Sequence, residues 1–163
     1  MYTELLGKLI SNIWSLETIL RYFICIRLNE PIPNIYDMEI GDETTDGHFT
    51  NYKSLRELIN TYNSLCLSES QKINKEKVLN IRDLLGHGRI HITDDMNIEN
   101  WYLVKFNDPK KDKENKIRLT NKINPNRDSG LWIKDSIKFI HEEILKVGTA
   151  SNSKIIIIKK DGA

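Results

Sequence analysis

The first 28 residues constrain the fold of this chain more than any other segment. Their apolar residues recur at steps of three and four positions, which gathers them along one side of a helix. The members of this stripe are Leu6, Leu9, Ile10, Ile13, Leu16, Leu20, Phe23 and Ile24. The pattern predicts an amphipathic helix over about residues 3–28, which Pro31 and Pro33 prevent from continuing. Such a helix buries its stripe against other elements, so it predicts a helical core.

Three further segments carry apolar residues at the same helical spacing. They predict helices over about residues 51–67, 70–86 and 129–147. Ser68 and Gln71 have the spacing of a capping box, which would open the third helix. Glycine is common just past a helix C-terminus, so Gly86 and Gly148 are expected to end the third and fourth helices.

The period of the sequence changes between the third and fourth helices. Residues 101–106 and 116–123 are rich in β-forming types and are separated by a polar, lysine-rich stretch. They predict a β-hairpin over about residues 100–123. Four consecutive isoleucines within 153–160 indicate a C-terminal strand or tail. The chain is therefore expected to be a single, mainly α domain over 1–163, a four-helix bundle with a hairpin inserted before the last helix.

Composition excludes several functional classes. Lys and Arg number 24 against 23 Asp and Glu, a net charge of +1, which argues against a polybasic binder. The first helix is interrupted by charged residues, unlike a signal peptide or a membrane-spanning segment. Cys25 and Cys66 lack metal-ligand spacing and lie among apolar neighbours. These features predict a cytoplasmic protein that contacts no membrane and uses no metal or cofactor.

The end of the third helix carries the residues most suited to chemistry. It reads Ile-Arg-Asp-Leu-Leu-Gly-His-Gly over residues 81–88, with an arginine and a histidine separated by four residues. Five positions along an unbroken helix would place Arg82 and His87 about 140° apart around its axis. A joint site therefore predicts that the helix unwinds at Gly86, where glycine frees the backbone.

This segment resembles the signature of the HEPN superfamily: a hydrophobic residue, Arg, a polar residue, three further residues, then His, often followed by Gly. Ile81 to Gly88 fits every position, with Asp83 where Asn is commoner. The resemblance implies a helical bundle with the motif late in the third helix. It also implies a metal-independent endoribonuclease of the kind common in toxin–antitoxin and antiphage systems.

Cleavage of RNA through its own 2′-hydroxyl needs a base, an acid and a cation at the phosphate. We expect His87 to transfer protons and Arg82 to bind phosphate, because their chemistry suits these tasks. Asp83 is expected to orient one of them. One chain offers a single histidine at the motif, whereas a homodimer with the motif on its two-fold axis supplies two.

Five basic residues after the third helix are candidates for RNA binding. They are Arg89, Lys110, Lys111, Lys113 and Lys116. The basic excess of the hairpin beside aromatic residues suits a nucleic-acid backbone and its bases. By contrast, the acidic loop over residues 29–50, which contains His48, is expected to be mobile or functional, with His48 solvated. The spacing of Glu17 and Arg21 predicts only a weak surface pair.

Two alternatives remain open at this stage. The chain could be a non-catalytic HEPN module that binds RNA or a nucleotide, or that pairs with a cognate antitoxin. It could also be a structural helical module in which Arg82 and His87 cap the carbonyl groups at the end of their own helix.

Overall fold

The computed structural model describes residues 2–91, 102–123 and 129–161. In these ranges the fold is mainly helical, with an antiparallel hairpin before the last helix, as predicted. The described elements are α1 (Tyr2–Leu28), α2 (Leu55–Leu65), α3 (Lys75–His87), β1 (Arg89–His91), β2 (Tyr102–Phe106), β3 (Leu119–Ile123) and α4 (Ser129–Asp161). The first residues of the predicted hairpin, 100 and 101, lie outside the described ranges.

The chain divides into two compact units, each assembled from two separate stretches. The first unit comprises Met1–Ile10 and Glu76–Phe139, and the second comprises Ser11–Lys75 and Ile140–Ala163. Helices α1 and α4 therefore contribute residues to both units. The single domain expected over 1–163 stays a prediction.

The first unit contains the sheet and most of α3. Its strand order is β1-β2-β3 with both pairs antiparallel, and Arg89 in β1 lies opposite Val104 in β2. Strand β1 was not predicted, because three residues are too few to show a period of two. The buried apolar residues of this unit are Leu9, Val78, Leu79, Ile81, Leu84, Val104 and Ile133.

The second unit contains most of α1, all of α2 and the later part of α4. Helix α2 begins at Leu55 rather than at residue 51, because Ser54 and Glu57 form a capping box. The Ser54 hydroxyl accepts from the Glu57 N–H at 3.4 Å, and the Glu57 carboxylate accepts from the Ser54 N–H at 2.8 Å. These bonds satisfy N–H groups at the start of the helix. The pKa of Glu57 is lowered mainly because its carboxylate also accepts from the Ser54 hydroxyl at 2.7 Å.

The start of α3 corrects the prediction based on Ser68 and Gln71. Ser68 makes no side-chain cap, and the Gln71 amide oxygen accepts from the Leu67 N–H at 3.2 Å instead. Asn63 pairs with both backbone groups of Ile73, accepting at 2.9 Å and donating at 3.0 Å. These two bonds occupy the Ile73 backbone, and α3 begins only at Lys75.

Helix α4 corrects two further predictions. It continues through Gly148 to Asp161, so residues 153–160 are helical and form no strand. Glycine inside a helix costs only about 1 kcal/mol, and Val147 and Ala150 on either side of Gly148 are fully buried. Burial of neighbouring side chains therefore outweighs the local preference of glycine for a helix end.

Helix α1 agrees with the predicted bounds and ends where Asn29 adopts a left-handed conformation at φ 54°. By length and composition, Glu4–Leu28 could cross a membrane, although the core helix of a soluble protein passes the same test. Leu16, Leu20 and Ile24 have no exposed surface, which fits a core helix. The cytoplasmic location stays a prediction.

Candidate functional site

Helix α3 remains continuous through the motif, which corrects the prediction that it unwinds at Gly86. The helix includes His87, and the Gly88 N–H still donates to the Leu84 carbonyl at 2.9 Å. Arg82 and His87 are therefore about 140° apart around the axis and do not share a face. Glycine permits a break in the helix but does not require one, and here the hydrogen-bonding ladder is retained.

Asp83, by contrast, lies one helical turn before His87 and shares its face. Both residues line an open groove of about 830 Å³ beside the hairpin. The lining consists of Asp83, Gly86, His87, Gly88, Lys105, Phe106, Asn107, Asp108, Lys111 and Thr120. Arg82 is not among these residues, so the groove contains the histidine of the motif without its arginine.

The carboxylate of Asp83 lies between two cations. It accepts a hydrogen bond from Arg82 at 3.0 Å, and its other oxygen lies 3.7 Å from Nζ of Lys105 in β2. The Arg82 side chain is 48% exposed. Within the described ranges, Arg82 thus pairs with Asp83 and donates to no carbonyl group at the end of α3. A bond to such a carbonyl group is the contact that the structural alternative requires.

His87 is exposed at the groove. Within the described part of the chain, its imidazole has no hydrogen-bond or ion-pair partner. A histidine that only capped its own helix would donate to one of the last carbonyl groups. The imidazole is therefore accessible to a substrate that enters the groove.

A β-bulge shapes the wall of the groove opposite α3. Lys105 pairs with Asn121 whereas Phe106 pairs with Leu119, so Thr120 is an extra residue on β3. The Thr120 hydroxyl donates to the Lys105 carbonyl at 3.0 Å. Bulges are common beside functional sites, and this one lies where Lys105, Phe106 and Thr120 line the groove.

The predicted RNA-binding lysines of the hairpin fall into two groups. Lys111 lines the groove, whereas Lys110 and Lys113 are exposed outside its lining. Lys116 pairs with Glu114 at 2.7 Å, which compensates its charge. For Arg89, the structure gives the backbone position in β1 alone. RNA contact by these residues stays a prediction.

Asp112 organises the turn that carries these lysines. Its carboxylate accepts from the backbone N–H groups of Glu114 at 2.9 Å and Lys116 at 3.3 Å, which lowers its pKa. Its second oxygen accepts from Nε of Arg118 at 3.1 Å. The loop between β2 and β3 is therefore held in a defined conformation.

A second cluster of polar contacts corrects the expectations for His48 and Arg21. His48 Nδ1 lies 2.7 Å from the Glu30 carboxylate, and its side chain is only 15% exposed. Arg21 donates to the carbonyl groups of His48, Asn51 and Lys53 at 2.8–3.0 Å. The end of the acidic loop is thus bound to α1.

The pKa of Glu30 is lowered mainly because its carboxylate accepts from the His48 backbone N–H. Burial raises the pKa of the neighbouring Cys25 thiol, which is 3.8 Å from the same carboxylate. These contacts join residues of α1 to the loop and hold the end of the loop in a defined conformation. Sequence spacing contains no signal for the contacts of His48 with Glu30 and of Arg21 with the loop, because those partners are separated by 18 to 32 positions.

Sequence analysis also missed Lys105 as a residue of the candidate site. It was one cation among several in the hairpin, and no local pattern shows that β2 lies beside the end of α3. Sequence analysis also did not single out Glu143, which is 2% exposed and accepts from the Asn74 N–H at 3.0 Å.

Among the described residues, no group of three His, Cys, Asp or Glu side chains is placed to hold a metal ion. Comparison of the chain with protein-family models, curated proteins and solved structures gives no match.

Proposed function

We propose that this chain is a HEPN-type endoribonuclease that cleaves RNA without a metal ion and acts as a homodimer. The observation that carries the proposal is the exposed His87 imidazole, which has no partner among the described residues, in a groove that also contains Lys105. An imidazole transfers protons near neutral pH, and a lysine attracts phosphate. The motif resemblance over Ile81 to Gly88 supplies the reaction class, and a toxin or antiphage-defence role follows from the same resemblance.

The reaction is an attack of the RNA 2′-oxygen on the adjacent phosphorus. A base removes the 2′-hydroxyl proton, the bond from phosphorus to the 5′-oxygen breaks, and an acid protonates that oxygen. The products are a 2′,3′-cyclic phosphate and a 5′-hydroxyl end. Cations near the phosphate stabilise the additional negative charge of the transition state, a role suited to Lys105 and Arg82.

The need for both a base and an acid motivates the homodimer. Each chain contributes one motif histidine, and a two-fold axis through the groove would bring His87 of both protomers to one phosphate. A phosphate on that axis would be equally distant from the two copies of Arg82, and each guanidinium would exchange its contact with Asp83 for the phosphate.

The test is incubation of the purified protein with RNA in EDTA, followed by analysis of the product ends. We expect 2′,3′-cyclic phosphate products from the wild type and at least a hundredfold slower cleavage by His87→Ala. His141→Ala is the matched control, because His141 is an exposed histidine outside the groove. Cleavage only after addition of a divalent ion, or full activity of His87→Ala, would contradict the proposal.

A specific contact favours a second candidate, a non-catalytic HEPN module that binds RNA or pairs with a toxin or antitoxin. The Arg82 guanidinium is paired with Asp83 at 3.0 Å, and Arg82 is not among the residues that line the groove. Under this alternative, the protein binds RNA but leaves it intact, and His87→Ala binds almost as tightly as the wild type. The product analysis above separates the two candidates.

A further inference from the structure

Phe106 is an exposed aromatic residue beside two lysines of the groove. It is 43% exposed at the end of β2, a larger fraction than a packing role requires. Consecutive strand residues ordinarily face opposite sides of a sheet. Phe106, however, is the last residue of β2, where the pairing with β3 becomes irregular, and both Lys105 and Phe106 line the groove.

The charges around Phe106 suit a phosphate group. Lys105 and Lys111 line the same groove, and Lys111 has no ion pair within the described ranges. The Asp108 carboxylate, which also lines it, accepts from the Lys110 N–H at 3.0 Å and caps the short turn over Pro109–Lys111. The remaining carboxylate, that of Asp83, is paired with Arg82 and Lys105.

We infer that this part of the groove is a subsite for one unpaired nucleotide, whose base stacks on Phe106 and whose phosphate lies between Lys105 and Lys111. The inference rests on the proposed function in taking RNA as the ligand. An aromatic ring flanked by cations is the arrangement by which proteins bind single strands without reading their sequence. The substrate class is therefore single-stranded RNA.

Two physical arguments favour an unpaired strand over a duplex. In a duplex both faces of each base are covered by neighbouring bases, so Phe106 could stack only on a base that has left the helix. The groove volume of about 830 Å³ is also in the range of pockets that enclose a small ligand. It suits a single nucleotide unit with its phosphate better than the broad surface of a duplex.

The experiment measures binding of a fluorescent 12-nucleotide oligomer with 2′-O-methyl groups, which the protein cannot cleave. The same oligomer annealed to its complement is the second probe. We expect the wild type to bind the single strand more tightly, and Phe106→Ala to weaken that binding about tenfold, as loss of one stacked base does. Tyr52→Ala is the matched control, since Tyr52 is a fully exposed aromatic residue outside the groove.

Two further variants distinguish stacking from packing. Phe106→Trp retains an aromatic face and is expected to bind like the wild type, whereas Phe106→Leu retains apolar bulk only and should bind like Phe106→Ala. Circular dichroism confirms that each variant is folded, and Phe106→Leu is the decisive one if Phe106→Ala unfolds. Full affinity of Phe106→Leu, or equal binding of single strand and duplex, would overturn the inference.

The outcomes also separate this inference from the nuclease proposal. If the wild type binds the single strand through Phe106 but cleaves no RNA, the subsite stands and the nuclease proposal fails. If His87-dependent cleavage is observed while substitution of Phe106 leaves binding unchanged, the nuclease stands and the subsite fails.

Discussion

Nζ of Lys105 lies 3.7 Å from the carboxylate of Asp83, which links strand β2 to the last turns of α3. The two residues are 22 positions apart in the sequence and both line the groove that contains His87. Asp83 also accepts a hydrogen bond from Arg82. A single carboxylate therefore controls the orientation and the effective charge of two cations beside the candidate site.

Removal of this carboxylate is expected to strengthen RNA binding. Asp83→Asn deletes a groove charge that opposes phosphate and releases Lys105 to a ligand. For partly exposed charges we expect a gain of about two- to fivefold in affinity for the uncleavable single strand at low salt. Fluorescence anisotropy measures the change.

Asp46→Asn is the matched control for Asp83→Asn. It removes the same charge at an exposed site outside the groove. An equal gain in both variants would mean that net charge alone is responsible. Weaker binding by Asp83→Asn would mean that Asp83 holds the lysine in place for the ligand.

The salt dependence of binding should identify Lys111 as the phosphate-contacting lysine of the hairpin loop. A lost phosphate contact to a single strand lowers the slope of log K against log salt by roughly 0.7. Lys111→Ala is expected to show this decrease, and Lys113→Ala, outside the groove lining, is expected to show none. A slope for Lys111→Ala equal to that of the wild type would remove Lys111 from the binding surface, and an equal decrease in both variants would contradict its assignment as the contacting lysine.

Glu30 should make stability depend on acidity. Its pKa in the folded state is lowered below the ordinary value of 4.5, so the ionised carboxylate stabilises the fold. This stabilisation is complete above pH 4.5 and is lost as the pH falls through the lowered pKa. Glu30→Gln is therefore expected to lower the free energy of unfolding by about 1–2 kcal/mol at neutral pH and by less in acid.

Urea unfolding at several pH values tests this expectation. Glu43→Gln is the control, because Glu43 is an exposed acid of the same loop with no hydrogen bond within the described ranges. A constant difference between the wild type and Glu30→Gln at all pH values would show that the carboxylate charge is irrelevant. In that case the fit of the Glu30 side chain, and not its ionisation, would account for the stabilising contact with His48.

Sequence periodicity predicted the helices well, because each buries an apolar stripe that recurs every three or four residues. It was less reliable at their ends. Ser68 and Gln71 have the spacing of a capping box, yet the box forms at Ser54 and Glu57. The difference lies in Asn63, which holds Ile73 through two hydrogen bonds, and no local pattern contains that contact.

Glycine was similarly overinterpreted. Gly86 and Gly148 were both expected to end their helices, and α3 was expected to unwind at Gly86. Both glycines lie within a helix. A glycine lowers the cost of a break, while packing of its neighbours decides whether the break occurs. The burial of Leu84 before Gly86 and of Val147 before Gly148 favours continuity.

The candidate site was predictable only in part. The motif located His87 and Asp83, because their spacing of one helical turn is a local property. It could not locate Lys105, Phe106 or Thr120, since their position depends on the pairing of β1 with β2 after α3. The arrangement of Arg21 and His48 was hidden for the same reason.

The most direct test of the central claim is the activity of dimers that contain one wild-type and one His87→Ala protomer. If both histidines serve one shared site, a mixed dimer is inactive. After subunit exchange between equal amounts of the two proteins, about one quarter of the dimers are wild type, so the activity in EDTA is about one quarter of that of wild-type protein at the same total concentration. If each chain acts alone, about one half remains. A value near one quarter is the predicted result, and a value near one half, or a stable monomer that cleaves RNA, would contradict the shared site.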